Sequence, residues 1–139
     1  MRQAVHLLRV ATKGRGLIEV TGAVRDWTDK QQIDTGLLTL FCRHTSASLL
    51  IQENADPDVR ADLDAFFETI APEDPQRYQH RTEGSDDMPA HLRTALTQSQ
   101  LSIPIVDGEL ALGTWQGIYL FEHRRIPHRR EIVLHVIGE

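Results

Sequence analysis

The sequence predicts an α+β domain with a mixed, mostly antiparallel, β-sandwich or barrel-like core and two main helices. Three observations predict it. Short apolar runs of strand length occur at both ends of the chain. Two stretches with helical apolar spacing lie between them. The last third reads as adjacent hairpins, an arrangement that packs helices against an antiparallel sheet. At 139 residues, 40% of them hydrophobic, the chain is the size of one domain, spanning 1–139.

The elements follow in order. Val5 to Val10 reads as a first strand and Leu17 to Val20 as a second, joined through Gly14 and Gly16. Thr21 to Gln32 is polar, with Val24, Trp27 and Ile33 near helical spacing, and predicts a short helix. Gly36 opens an apolar run, Leu37 to Cys42, that reads as a buried strand, and Leu49 to Ile51 gives another. The clearest helix is Pro57 to Ile70. Asp56 is placed to cap it, and Pro57 suits the first position, where the missing N–H costs nothing. Val59, Leu63, Phe66, Phe67 and Ile70 share one face, which is expected to be buried. Pro72 and Pro75 end it, and Gln76 to Asp87 is a polar loop.

A shorter second helix is expected over about Pro89 to Thr97, burying Leu92, Ala95 and Leu96. Ile103 to Val106 is a strand followed by the Asp107-Gly108 hairpin signal. Leu110 to Glu122 reads as one long strand, with Gly113 and Gly117 marking bulges or the close approach of another group. Ile126 to His128 makes a turn, and Arg130 to Ile137 is the last strand.

Composition excludes several function classes. There is no apolar run of membrane-spanning length, and the N-terminal MRQAVHLLRV lacks a signal-peptide core. A single cysteine, Cys42, forms no internal disulfide and reads as a packed small hydrophobe. These features predict a cytoplasmic protein without membrane partners. The net charge of −5 argues against a nucleic-acid partner, which requires a basic surface. Arg124, Arg125, Arg129 and Arg130 nevertheless cluster locally, which suits a small anion.

Seven histidines stand out. Three fall in polar stretches: His44 after the strand Leu37 to Cys42, and His80 and His91 flanking Glu83, Asp86 and Asp87. Alternation places Cys42 and His44 on one face if the strand runs that far. Neutral imidazole is a common transition-metal ligand, and three protein ligands with an open position mark a reactive site. His44, His80 and His91 are therefore the predicted metal ligands, for zinc or another divalent transition metal. Asp86, Asp87, Glu53 or Glu122 is available to fix a ring tautomer. His6 and His135 sit in strand patterns and His128 in a turn, so they are assigned structural positions.

Five strings along the chain carry a resemblance. They are His44-Thr45-Ser46-Ala47-Ser48, Glu53-Asn54-Ala55-Asp56-Pro57, Asp86-Asp87-Met88-Pro89-Ala90-His91-Leu92, Leu112-Gly113-Thr114-Trp115-Gln116-Gly117-Ile118 and Glu122-His123-Arg124. In that order and spacing the chain resembles the YjbQ-like family, also called the secondary thiamine-phosphate synthase family. The resemblance implies an α+β sandwich-like or barrel core, a homotrimer, and a polar pocket between subunits into which the family's histidines point.

The same resemblance implies a transferase that joins hydroxymethylpyrimidine diphosphate to thiazole phosphate and releases diphosphate. Carried over by motif, Asp87, Glu122, Gln116 and Trp115 are the expected catalytic residues, and Arg124, Arg130, Ser46 and Asn54 the expected contacts to a phosphorylated small-molecule substrate. Many relatives read acidic-Gly-Pro-Arg near the last turn. This chain has Glu122-His123-Arg124-Arg125-Ile126-Pro127-His128 there, which leaves Arg129 and Arg130 both open as the family's arginine. Diphosphate chemistry usually uses Mg²⁺, an oxygen-preferring ion, whereas histidines suit zinc. Two other readings stay open: a metal-dependent hydrolase, and an anion- or ligand-binding module without catalysis, in which the three histidines are donors to the anion.

Overall fold

A computed structural model describes all 139 residues. Its strands are β1 (Arg2–Ala11), β2 (Gly16–Glu19), β3 (Gly36–Cys42), β4 (Ala47–Glu53), β5 (Gln100–Val106), β6 (Glu109–Leu110), β7 (Gln116–Glu122) and β8 (Arg129–Gly138). The helices are α1 (Thr21–Lys30), α2 (Pro57–Ile70) and α3 (Asp87–Leu96). One sheet runs β1-β8-β3-β5-β6 and the other β2-β7-β4. Every strand pair is antiparallel. The α+β class holds. Every sheet is antiparallel rather than mixed, and the short helix expected over Thr21 to Gln32 forms as the ten-residue Thr21–Lys30 beside the two main helices.

The two sheets bury a common core. Leu38 and Leu40 of β3, Ile132, Leu134 and Val136 of β8 and Ile103 and Ile105 of β5 meet Leu49 of β4 and Ile118 and Leu120 of β7. Their alternation is the period of two that a half-buried strand requires. Strand β7 departs from it: every residue from Gly117 to Glu122 is buried. Ile118 and Leu120 face the core, while Phe121, on the opposite face, packs edge-on against Phe67 of α2. β7 is thus the middle layer between the larger sheet and a helix.

Three local expectations are corrected. First, the long strand Leu110 to Glu122 is broken. Gln116 turns back on Gly113, its Oε1 accepting from the Gly113 N–H at 2.8 Å and its own N–H donating to the Gly113 carbonyl at 3.1 Å. Second, α2 keeps its bounds and its Asp56 cap, whose Oδ1 accepts from the Asp58 N–H. Of its apolar face only Phe67 is buried, and Phe66 is 55% exposed. Third, α3 begins at Asp87 and leaves Leu96 64% exposed. Its buried face is Asp87, Ala90 and Arg93, at i, i+3 and i+6. Ion pairs set that orientation: Arg124 holds Asp87, and Arg93 reaches Glu68 and the Ala71 carbonyl of the α2 end.

Gly36 and Gly138 face each other across β3 and β8. A Cβ on Gly36 would lie 2.3 Å from the Ile137 carbonyl oxygen. Gly36→Ala is therefore expected to cost about 1–3 kcal/mol through overpacking, measured by urea unfolding. An unchanged midpoint would show that the two strands separate freely there.

Candidate metal centre

Helical spacing builds the site. Asp87 in the first turn of α3 and His91 four residues on share one face, and the loop before the helix brings in His80. His80 Nε2 lies 2.6 Å and His91 Nε2 3.1 Å from the same oxygen, Asp87 Oδ2. The three donor atoms all lie within 4.8 Å of one another. The Asp87 side chain is 4% exposed and the two imidazoles 38% and 33%, so the cluster opens to solvent on the histidine side.

A second layer of contacts holds these donors. Arg124 donates from Nη1 to Asp87 Oδ1 at 2.5 Å, from Nε to Asp86 Oδ2 at 3.0 Å and from Nη2 to the Glu83 carbonyl at 2.9 Å. One oxygen of Asp87 is thus tied down and the other is left to the histidines. His91 Nδ1 lies 2.9 Å from the Thr45 carbonyl, which can only accept, so Nδ1 carries the proton. In the neutral ring, Nε2 then points a lone pair at a carboxylate oxygen. A cation or a proton between them removes that repulsion. Burial opposes ionisation of Asp87, but the hydrogen bond from His80 and the charges of His91 and Arg124 outweigh it and hold the carboxyl below its usual range.

The other predicted site residues divide into separate groups. His44 stands outside the cluster: its Nε2 accepts from the Glu131 N–H at 2.8 Å. Glu122 and Arg130 form a buried bidentate pair, Nε to Oε2 at 2.7 Å and Nη2 to Oε1 at 2.5 Å. Arg130 also donates to the carbonyl and hydroxyl of Ser46, fixing the loop that carries Thr45. Glu122 accepts further from the Thr12 hydroxyl and the Arg124 N–H. Arg124 and Arg130 are therefore committed to carboxylates of the chain itself.

Trp115, Gln116 and Asn54 gather at the opposite end of β7, where the Asn54 N–H donates to the Trp115 carbonyl. Six residues of strand rise separate Gln116 from Glu122, about 20 Å. Trp115 is 62% exposed.

His123 had no assigned role from sequence. It is 1% exposed, with Nε2 2.8 Å from Ser48 Oγ, which in turn receives the Thr97 hydroxyl at 2.6 Å. The available signal was a histidine directly after an apolar strand. Burial first, then the nearby Arg93, pushes its pKa down to about 3. The unfolded ring takes up a proton near 6.5 and the folded one does not, so His123 makes stability fall as pH drops from about 6.5 towards 3. The slope is about 1.4 kcal/mol per pH unit. Asp86, Asp87 and Glu122, held low by their partners against burial, add a second loss below their ordinary values of 3.8 and 4.5. Unfolding curves against pH should show both limbs, and His123→Gln should remove only the first. A flat profile between pH 6.5 and 5 would contradict this assignment.

Fold and cluster together define a small α+β protein with a histidine–carboxylate centre at a helix start. Residues 6–139 match the UPF0047 protein YjbQ-like family, and the chain belongs to that family. It is 54% identical to a UPF0047 protein of Synechocystis sp. over 99% of this chain and 94% of that protein. It is 41% identical to UPF0047 protein YjbQ of Escherichia coli O157:H7, over 95% and 96% of the two chains. Among solved structures, a YjbQ/UPF0047 protein of Clostridium acetobutylicum is similar with a TM-score of 0.84 at 34% identity, covering 96% of this chain and 99% of that one.

Proposed function

We propose that the chain is a divalent-metal-dependent enzyme acting on a phosphorylated small molecule, with the ion held by His80, Asp87 and His91. The observation that carries this reading is the convergence of two Nε2 atoms and one carboxylate oxygen, with the His91 tautomer set by Thr45. Two imidazoles and a carboxylate suit zinc or another transition metal better than Mg²⁺. Such an ion supplies Lewis-acid activation of a phosphoryl oxygen or of water. The chain's own residues place the donors, with Arg124 orienting Asp87 and the Thr45 carbonyl orienting His91.

The reaction to test first is the one the family resemblance implies, joining hydroxymethylpyrimidine diphosphate to thiazole phosphate with loss of diphosphate. The purified protein is supplied with both precursors and Zn²⁺, Mn²⁺ or Mg²⁺. Product that disappears with His91→Ala supports the reading, and no product with any metal removes the transferase assignment. One observation favours metal-dependent hydrolysis instead: Arg124 and Arg130 are both spent on internal carboxylates, so neither is free to take a leaving diphosphate. Turnover of phosphate esters without the transfer reaction would select that reading.

Assembly as a homotrimer, with the pocket at a subunit boundary, belongs to the same proposal. Two features support it. The outward face of the larger sheet exposes Val5 by 67%, Phe41 by 46% and Leu37 by 39%. Motif residues stand at both ends of β7, too far apart to meet within one subunit. A monomer by light scattering would overturn this part.

A further inference from the structure

A groove of about 680 Å³ lies beside the metal centre, between the β3–β4 loop and the C-terminal half of α3. Its polar lining is Arg43, His44, Thr45, Thr94, Thr97 and Ser99, and no aspartate or glutamate lines it. That is notable in a chain with 20 acidic residues against 15 basic ones. We infer that this groove is a separate subsite for the anionic end of a small molecule, with His44 acting as a neutral hydrogen-bond donor rather than as a metal ligand.

Three observations carry the inference. The backbone fixes the His44 tautomer: Nε2 accepts from the Glu131 N–H at 2.8 Å, so Nδ1 carries the proton and makes no bond within the chain. Burial and the nearby Arg130 keep the ring neutral, as this tautomer requires. Arg43, on the rim, has only a long contact of 3.7 Å to Glu131, so its guanidinium is available to an oxyanion. Thr94 lines the groove, yet its hydroxyl is buried without a partner. That hydroxyl is therefore spent on no other group of the chain.

The groove and the metal centre share Thr45. Its carbonyl accepts from His91 Nδ1–H, and the residue also lines the groove. Thr94 follows His91 by three residues on α3. A substrate anchored here by a phosphate or carboxylate would extend its reacting bond towards His80, Asp87 and His91. This deepens the proposed function and rests on it for the reacting end, but the anion subsite itself is tested without metal.

Inorganic phosphate and malonate are titrated calorimetrically into the full-length protein, as purified and after chelation. Phosphate or malonate binding that survives chelation and weakens about tenfold or more in Arg43→Gln and His44→Gln supports the subsite. His44→Gln keeps an acceptor for the Glu131 N–H and exchanges the fixed ring Nδ1–H for the N–H₂ of a mobile amide, which loses the ring's fixed donor geometry, and Arg43→Gln alters only a half-exposed side chain. Preference between the two anions identifies phosphate or carboxylate as the anchored group. No binding of either anion by the wild type, or wild-type affinity in both variants, overturns the inference. So does binding lost in His91→Ala and retained in His44→Gln, which would place the anion on the metal. If metal analysis finds no bound ion while the two variants lose phosphate, the metal reading fails and the groove stands.

Discussion

Glu122→Ala is expected to lower stability by about 3–5 kcal/mol, the cost of leaving a buried charge without its partner. Glu122 is fully buried and Arg130 is 3% exposed. Alanine removes a carboxylate that satisfies the Arg130 guanidinium, the Thr12 hydroxyl and the Arg124 N–H together. In a domain of this size the loss corresponds to a drop of roughly 10 °C or more in Tm. A double substitution, Glu122→Leu with Arg130→Met, should cost less than Glu122→Ala alone, because no unpaired charge remains. Thermal and urea unfolding of the three proteins checks both statements. If Glu122→Ala unfolds within about 1 kcal/mol of the wild type, water reaches the guanidinium and the pair is not sealed. The same contacts fix Ser46, so the variant should also loosen the loop that carries Thr45.

His91→Ala and Asp87→Asn are each expected to weaken zinc binding at least about 100-fold, since loss of an outer partner alone costs 10–100-fold. Arg124→Gln, which leaves all three donors in place, should fall in that smaller range. Competition with a chromophoric chelator gives the affinities, and circular dichroism confirms that each variant is folded. The ordering separates the roles: His91 and Asp87 as donors, Arg124 as the group that orients Asp87. Zinc binding by His91→Ala equal to that of the wild type would remove the centre from consideration.

Much of the fold was legible in the sequence because strand alternation and the Asp56-Pro57 start depend on local chemistry. The failures came where partners distant in sequence decide. Leucine spacing on α3 pointed to a buried Leu96, but Arg124 and Glu68, contributed by other elements, turn Asp87 and Arg93 inward instead. Gly113 marks a bulge or a close approach in the sequence, and nothing local separates these from the side-chain-braced turn that Gln116 makes there. At the site, His80 and His91 were legible as polar histidines flanking an acidic loop, and they do meet on Asp87. His44 was indistinguishable from them in composition. What separates it is one backbone N–H, that of Glu131, 87 residues away.

The position of β8 bears on how the chain reaches this state during synthesis. Residues 129–138 pair with β1 on one side, from Arg2 opposite Gly138 to Ala11 opposite Arg129, and with β3 on the other. A nascent chain therefore presents β1 and β3 with no strand between them until translation has passed residue 129. Its longest ladder closes across more than a hundred residues, the kind of non-local pairing that folds slowly and leaves strand edges open to other chains. Helix α2 is complete by residue 70, the β3-β5-β6 ladder by residue 110 and the three-stranded sheet, whose central strand is β7, by residue 122, so vectorial folding should end with insertion of β8.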